Sequence, residues 1–519
     1  MNFISTSGKK SDNELEVFAW PCAEDGSYYV PESLRQISDS EIENMTQLDP
    51  AMRMATIFSF FIEDLDVREV SNRLSEYFES NPCFTLHSMN KYLNEEFIFE
   101  AWHNQSATLY DFVFFSYKIL LEELMKKNGK QDEIAYLLFC PGNMALSALN
   151  IFNSENLILF SRSKYVDISY KNLLNSYKSS NKLLHLKTAC SLDEINDYQK
   201  SLYSRQTIKK IADKEAKFLA VLSSHSWGHI LICTSLLIYI YTELYKYFKD
   251  NELSINSFDF AIVETSLDFS LASCYAKAMG IDIHKFLLIN NQNRSASEFI
   301  RTGKYNACHK ISNNFLPYID NLMPANLERF IYELSYRDEN MVKEMTLLLE
   351  KNKRFDFSRE LLSPLKKYFS SKFIKDHDVQ NRVSEIYDRF DQFMDPATAI
   401  MISSMEELRS SHDKKNIPIV YLSMMSPQLF PILSAKALGI KKSSDKAYIH
   451  YMEEIEKESS IEIPDIYKVN FDDKSFLPLI KKEEIEDRII SFLKGEDIVD
   501  SEIGNVDIQN NDKENLEDK

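Results

Sequence analysis

Four side chains in this sequence could carry out chemistry together: His103, Asp111, Glu264 and Asp268. An imidazole can act as a general base, and carboxylates can transfer protons or bind a metal ion. One hypothesis is therefore a cleft in which these four groups converge around a ligand, with a metal ion as one candidate. The same set can also arise as the polar lining of a solvated cleft.

The common motifs of nucleotide, phosphate and hydrolase sites are absent from the sequence. It contains no GxGxxG, GxxxxGK[ST], HExxH or GxSxG pattern. Only 10 of the 519 residues are Gly, against about 7% in an average protein. Because Gly lets backbone N–H groups approach a phosphate closely, this shortage points away from an enzyme that holds a nucleotide or phosphate cofactor.

The bulk composition indicates a soluble globular protein. Hydrophobic residues make up 44% of the chain and aromatic residues 12%, which is enough for a packed core. The net charge of −19 argues against nucleic-acid binding, because phosphate neutralisation needs clustered Lys and Arg. The seven cysteines form no CxxC pair. We therefore expect reduced thiols in a cytoplasmic protein.

Neither a membrane span nor a targeting signal is expected. The most apolar run, Ile230 to Thr242, is shorter than the roughly 20 residues that cross a bilayer. It predicts a buried helix. The first eight residues contain neither a basic region before an apolar stretch nor an Arg-rich presequence.

Hydrophobic periodicity places the candidate residues in an α/β protein. Residues 110–127 have the pattern of an amphipathic helix, and residues 40–80 predict an N-terminal helical region. Apolar runs alternate with helical patterns over residues 134–161 and again over residues 258–289. Such strand–helix–strand repeats predict parallel βαβ units. A further strand is predicted at residues 417–424.

Six short segments resemble threonine synthases, in the family's order and spacing. The family begins with an Ile/Ser/Thr/Arg-Gly segment, which resembles MNFISTSG at residues 1–8. The family segment APDGGLYVPE follows, and it resembles AEDGSYYVPE at residues 23–32. The others are RTGKY at 301–305 (KTGEY in the family), PANLER at 324–329 (PSNFER), DPATA at 395–399 (DPHTA), and the segment from Pro427 to Gly439 (HPAKFP…ALG).

This resemblance implies the type II fold of pyridoxal-phosphate enzymes, similar to tryptophan synthase β, with the cofactor between two mostly parallel α/β domains. It also implies conversion of O-phosphohomoserine and water into threonine and phosphate. The expected divisions are an N-terminal domain (1–98), a pyridoxal-phosphate-enzyme-like region (99–440) with a smaller inserted subdomain (about 130–215), a C-terminal helical segment (441–503) and a disordered acidic tail (504–519).

The position that carries the cofactor in the family is not a lysine here. The family segment HGPTxAFKDFALQF aligns with HNQSATLYDF at residues 103–112, so His103 and Asp111 are kept and Tyr110 stands at the lysine position. Only a primary amine can form the Schiff base and shuttle the protons. Lys118 lies two helical turns away, roughly 12 Å. The resemblance therefore implies the loss of most catalytic power.

Two loops that bind ligands in the family have changed as well. The family segment SGDTGSAA corresponds to PGNMALSA at residues 141–148. Gly142 is kept and is followed by Asn143. Pro141 and Met144 stand where the family has residues with a hydroxyl group. The phosphate loop TGNFGN aligns, with a one-residue gap, with Glu264, Thr265, Ser266, Leu267, Asp268 and Phe269. Both glycines are gone, and two carboxylates would repel a phosphate. We therefore expect no cofactor.

Two smaller departures agree with these losses. The family's NSINWARI is SSHSWGHI at residues 223–230, which keeps Trp227, expected in the core, and loses an arginine. The family's hydroxyl near the pyridine nitrogen aligns with Met424 or with the neighbouring Ser423.

Together these features predict a catalytically inactive threonine-synthase-like protein with a scaffold, regulatory or ligand-binding role. We expect an unknown protein partner, and an active paralogue is one candidate. Binding to nucleic acid or to a membrane is not expected. Two alternatives stay open: an active threonine synthase, and another ligand- or metal-dependent activity in the remodelled cleft.

Overall fold

A computed structural model describes most of the chain. The described residues are 1–89, 96–140, 142, 144–162, 173–255, 257–312, 314, 316–390, 392–409, 417–440, 448–459, 461–468 and 477–496. The predicted tail at 504–519 lies outside them.

The strands are numbered in chain order. They are β1 Phe3–Ser5, β2 Lys10–Ser11, β3 Tyr29–Pro31, β4 Cys83–Ser88, β5 Glu96–His103, β6 Glu133–Phe139, β7 Asn156–Arg162, β8 Leu183–Thr188, β9 Lys217–Leu222, β10 Phe258–Val263, β11 Ile283–Asn290, β12 Lys304–Asn306, β13 Arg354–Asp356, β14 Phe369–Phe373 and β15 Ile419–Ser423.

The helices are numbered in the same way. They are α1 Glu14–Ala19, α2 Asp39–Thr46, α3 Pro50–Phe58, α4 Val67–Ser80, α5 Tyr110–Lys127, α6 Met144–Ile151, α7 Leu192–Arg205, α8 Thr207–Lys214, α9 Trp227–Asp250, α10 Asp268–Ala278, α11 Ser295–Thr302, α12 Leu327–Leu334, α13 Glu339–Asn352, α14 Arg359–Tyr368, α15 Asp376–Phe390, α16 Pro396–Arg409, α17 Pro431–Ala437, α18 Tyr448–Ser459 and α19 Ile485–Leu493.

Two parallel sheets form the centre of the fold. One has the order β14-β11-β10-β15-β5-β4, in which only the edge strand β4 is antiparallel to its neighbour. The other has the order β8-β7-β6-β9 and is parallel throughout. The predicted βαβ units are confirmed, because β6 pairs with β7 and β10 pairs with β11 in parallel. The mostly parallel α/β class is confirmed with them.

Helix α9 fills the centre of the largest hydrophobic core. It is long and apolar enough to cross a membrane, but 94% of its most apolar 18-residue window is buried inside the protein. This confirms the predicted buried helix and extends it at both ends. Gly228 lets two aromatic rings approach α9, since a Cβ there would lie 2.9 Å from Tyr117 Cε2 and 3.0 Å from Phe18 Cζ.

The N-terminal region contains the predicted helices and a small sheet that the sequence did not reveal. Helices α2, α3 and α4 fall within residues 40–80, apart from the first residue of α2. The first 31 residues contribute an antiparallel sheet, β2-β1-β3. Its strands have two or three residues and pair across distant positions, so they leave no detectable alternation in the sequence.

The C-terminal segments contact elements of both parallel sheets. Gln428 Nε2 donates to the carbonyls of Met452 and Ile461, which ties α18 to the turn after β15. The Ile480 N–H donates to the Lys187 carbonyl at 2.8 Å, which ties the segment before α19 to β8.

Candidate functional site

Tyr110 is the first residue of α5, which follows the carboxyl end of β5. Carboxyl ends of parallel strands are the usual place for a site in an α/β fold. Burial raises the pKa of the Tyr110 phenol, and the charges of Asp268 and Glu264 raise it further. The side chain is therefore a neutral phenol beside two acidic groups.

Asp111 organises the loop that precedes Tyr110. It is fully buried and accepts hydrogen bonds from the Ser106 N–H at 3.0 Å, the Ser106 hydroxyl and Asn150 Nδ2 at 3.2 Å. Ser147 of α6 bonds to the Ser106 hydroxyl at 2.7 Å. Because its acceptors are occupied by this network, Asp111 positions the loop against α6.

His103 lies apart from the other candidates. Its Nε2 is 2.7 Å from Glu100 Oε2, and its ring stacks on Trp102 with centroids 4.0 Å apart. The structure therefore brings Glu264 and Asp268 together but keeps His103 and Asp111 in networks of their own. Among the described residues, no three His, Cys, Asp or Glu side chains are arranged to hold a metal ion.

Glu264 follows β10, and its carboxylate binds the N-terminus of α10. It accepts hydrogen bonds from the Phe269 N–H at 3.0 Å, the Ser270 N–H at 2.8 Å and the Ser270 hydroxyl. Only 4% of its surface is exposed. Burial, and then the charge of Asp268, raises the pKa of Glu264 to about 7.

Asp268 has a different set of partners. Its Oδ2 accepts from Ser224 Oγ and pairs with His229 Nε2, both at 2.9 Å, and its Oδ1 accepts from Asn326 Nδ2 at 2.7 Å. Burial alone would raise the pKa of Asp268, but the contact with His229 and the hydrogen bonds lower it. The carboxylate is therefore ionised and held on both oxygens.

His229 is a functional-site residue whose role the sequence analysis missed. It stands where the family motif has its arginine, and it pairs with Asp268 from α9. A histidine on an otherwise apolar helix needs a buried polar partner, and that need was the available signal. Cys233 Sγ is 3.6 Å from the same nitrogen. Burial raises the pKa of this thiol well above its ordinary value, so it is not a ready nucleophile.

The remaining loop residues pack against neighbouring segments. Thr265 is buried, and the Ser266 carbonyl accepts from the Asn326 N–H at 3.2 Å. Gly142 has φ +65°, and a Cβ there would lie 3.3 Å from Tyr318 Cβ, so the surviving glycine fits a position that disfavours side chains. Asn143 lies outside the described residues.

Ser423 ends β15 and is fixed by two partners that the sequence did not reveal. Its hydroxyl donates to Asp395 Oδ2 at 2.9 Å and accepts from Trp102 Nε1 at 3.1 Å. Asp395 also accepts from the N–H groups of Ala397 and Thr398 at the start of α16. Ser423 thus joins β15, β5 and α16.

Lys118 offers no replacement amine. Its Nζ lies 2.6 Å from Glu155 Oε1, two helical turns beyond Tyr110. The ion pair holds it at a distance from the position of Tyr110.

Replacing Glu264 by glutamine is expected to make stability less dependent on pH. Since the fold raises the pKa of Glu264 from 4.5 to about 7, this group favours folding below pH 4.5, and that contribution is lost as pH rises through 7. At about 1.4 kcal/mol per pKa unit the loss is roughly 3 kcal/mol. Urea denaturation measures the free energy of unfolding at pH 5 and pH 8. E264Q should become more stable relative to wild type only at pH 8.

Asp268 titrates in both proteins, so the difference between them isolates Glu264. A pH-independent difference would contradict this assignment.

Comparisons with known proteins agree on one family. No protein-family model matches the chain. The threonine synthase of Pseudomonas aeruginosa is 20% identical over 443 residues, which cover 84% of this chain and 90% of that protein. Human threonine synthase-like 1 is 29% identical over 184 residues, which cover 34% of this chain and only 24% of the human protein.

Solved threonine synthases share the fold over nearly the whole chain. The pyridoxal-phosphate-bound enzyme from Brucella melitensis superposes with a TM-score of 0.73 at 16% identity, covering 95% of this chain and 100% of that one. The yeast enzyme gives 0.72 at 18% identity, covering 95% and 98%.

The expectation of no cofactor is wrong. The Brucella structure, which shares this fold, contains pyridoxal phosphate, and the Pseudomonas relative is a threonine synthase. The changes that motivated the expectation affect one amine, two loops and a few single positions, whereas a ligand is bound through many contacts. Within the described part of the cleft, the attachment position itself does not fit a covalent link, because Tyr110 has no amine.

The chain is therefore a homologue of the threonine synthases and threonine synthase-like proteins, and it has the type II fold of pyridoxal-phosphate enzymes.

Proposed function

We propose that this threonine-synthase-like protein does not catalyse threonine formation and that its cleft has a scaffold, regulatory or ligand-binding role. The observation that carries the proposal is Tyr110, a neutral phenol at the position of the family's lysine. Threonine synthesis on this fold needs an amine that attaches the cofactor and moves protons at carbon. A phenol can form hydrogen bonds there but cannot form an imine.

The surrounding contacts support the same proposal. Asp111, Asp268 and Ser423 each have their hydrogen-bonding atoms engaged by protein groups. Asp268 Oδ2 and His229 Nε2 are hydrogen-bonded to each other. These residues stabilise the walls of the cleft, as expected for a fold kept for its shape and surfaces.

The test is an activity assay on the full chain supplied with O-phosphohomoserine and pyridoxal phosphate. We expect phosphate release at least about 10⁴-fold below that of the Pseudomonas enzyme, since general acid–base catalysis alone contributes up to about that factor. Tyr110→Phe should behave like wild type. Threonine formation by wild type at a rate near that of the Pseudomonas enzyme would refute the proposal.

A second variant tests the position itself. Tyr110→Lys places an amine at residue 110, and borohydride reduction with pyridoxal phosphate should then label that residue. Lys118 serves as the internal control, because its amine pairs with Glu155. Labelling of Lys118 with residue 110 unmodified would show that residue 110 does not face the cleft.

A further inference from the structure

An open pocket lies on the surface where α3, α4, α9 and the edge strand β4 meet. Its volume is about 480 Å³, within the range of about 300–1,000 Å³ that is usual for small-ligand sites. None of the described residues that line it belongs to the candidate site around Tyr110. What this pocket binds is therefore a question separate from the function proposed for the cleft.

Three aromatic rings form the apolar part of the pocket, those of Phe78, Phe84 and Tyr239. The centroid of the Phe84 ring lies 5.8 Å from that of Phe78 and 5.5 Å from that of Tyr239. Tyr239 is buried, whereas Phe78 and Phe84 are only partly buried. The faces of aromatic rings carry partial negative charge and attract cations. The lining of the pocket therefore favours a cationic ligand.

One of these rings already contacts a cation of the protein itself. The guanidinium carbon of Arg53 lies 5.3 Å from the centroid of the Tyr239 ring. Arg53 is buried, and an ion pair with Glu243 compensates its charge. In the described part of the chain, no Lys or Arg side chain lies over the ring of Phe78 or Phe84. These two rings are therefore available to a cation from outside.

Two carboxylates stand at the rim of the pocket. Asp49, which caps α3, and Glu79, in the last turn of α4, both line the pocket and are both exposed. Asp49 Oδ1 accepts from the Met52 N–H at 2.9 Å, and neither carboxylate forms an ion pair with a described residue. The described residues that line the pocket include no Lys, Arg or His. The pocket thus combines aromatic rings with uncompensated negative charge, which is complementary to an organic cation.

We propose that this pocket binds the guanidinium group of an arginine side chain presented by a partner protein. A guanidinium group fits better than an ammonium group, because it is planar, stacks on aromatic rings and is more weakly hydrated. Its N–H groups can donate to the carboxylates of Asp49 and Glu79. A free amino acid would bring its own carboxylate beside these two, with no described cation in the lining to receive it. An arginine whose carboxyl group is part of a peptide bond is therefore favoured.

Acetylated arginine amide is the probe, and its neutral isostere, acetylated citrulline amide, is the matched control ligand. In ligand-observed NMR titrations of the full chain at low, constant ionic strength, the arginine ligand should bind at least about 10-fold more tightly than the citrulline ligand, because only the arginine ligand carries a charge. Acetylated lysine amide and free arginine should both bind more weakly than acetylated arginine amide. Equal binding of the arginine and citrulline ligands, or binding of neither, would overturn the proposal. Tightest binding of free arginine would show that the occupant is the amino acid and not a protein side chain.

Substitutions in the pocket show where the ligand binds. Phe84→Leu keeps an apolar side chain but removes the ring, and it should weaken the binding of acetylated arginine amide about 3-fold or more. Glu79→Gln should weaken it about 3-fold and make the affinity less dependent on salt. Glu76→Gln is the matched control, because Glu76 is an exposed residue of the same helix that does not line the pocket.

The test does not depend on the stability of the Phe84 variant. Glu79 is exposed, so Glu79→Gln should fold like wild type. If Glu79→Gln and Glu76→Gln bound acetylated arginine amide with the same affinity as wild type, the ligand would not occupy this pocket and the proposal would be wrong.

Discussion

Replacing Arg329 by methionine is expected to lower the free energy of unfolding by about 3–5 kcal/mol, because three acceptors inside the protein lose their donor. The recovered cost of burying the cation offsets only part of this loss. Arg329 is fully buried in α12. Its Nε donates to the Tyr29 carbonyl at 2.9 Å, Nη1 to Asn326 Oδ1 at 2.9 Å and Nη2 to the Pro21 carbonyl at 3.4 Å. Methionine cannot donate to any of these three acceptors. Urea denaturation followed by far-UV circular dichroism measures the effect.

Arg337 supplies the matched control. It also donates to carbonyls of the N-terminal segment, those of Pro31 and Glu32, but its side chain is 30% exposed. Water can therefore replace the bonds to these carbonyls, but the ion pair with Glu333, whose side chain is 14% exposed, is lost as well. Arg337→Met should cost less than Arg329→Met, about 1–2 kcal/mol. Equal effects of the two substitutions would show that burial of Arg329 does not matter. Arg329→Lys should be intermediate, because one ammonium cannot reach all three acceptors.

The Arg329 variant should also disturb the candidate site. Asn326 accepts from Arg329 and donates to Asp268, which in turn pairs with His229. One continuous network thus runs from the N-terminal segment to the start of α10. In the folded fraction of Arg329→Met, the imidazole NMR signals of His229 should shift, whereas Arg337→Met should leave them near their wild-type positions.

Replacing Trp227 by alanine is the second prediction with a large effect. Trp227 is 1% exposed at the start of α9 and makes edge-to-face contacts with Phe3 and Tyr275, both with centroids 5.8 Å apart. A buried large-to-small change of this kind costs about 3–5 kcal/mol through lost transfer energy and an unfilled cavity. Chemical denaturation at fixed pH gives the value.

Trp227→Phe is the control for cavity size. It keeps an aromatic ring and removes part of the volume, so we expect roughly half of the alanine effect or less. If both variants lost the same stability, the indole N–H or a local rearrangement would account for the result instead of packing.

The alanine variant should also loosen the N-terminal sheet, because Phe3 belongs to that sheet. Faster hydrogen exchange of the β1 amides would detect this change.

Much of the architecture was accessible from local patterns. Helix α5 begins and ends at the residues predicted, and two βαβ units follow the alternation of apolar runs. The predicted buried helix is α9, although the structure extends it beyond the apolar run because polar ends can continue a helix whose centre is packed. The three-stranded N-terminal sheet was missed, since its short strands pair with distant segments.

The sequence predicted which residues belong to the candidate site, but not how they are arranged. That Tyr110 stands at the family's lysine position can be read directly from the sequence. One hypothesis had four groups converging; in the structure Glu264 and Asp268 lie close together, whereas His103 contacts Glu100 and Asp111 contacts Ser106. The charge and chemistry of these four side chains made them candidates for the site. The direction in which each side chain points depends on neighbours that are distant in the chain.

The sequence by itself thus determined the central helices and strands, the family resemblance and the missing amine, because periodicity and side-chain chemistry are local properties. Only the tertiary structure decided that Glu264 binds the start of α10, that His229 pairs with Asp268, and that Ser423 is held by Asp395 and Trp102. Trp102 and Ser423 lie 321 residues apart. Contacts of that kind follow from how the sheets and helices pack, and no local pattern encodes them.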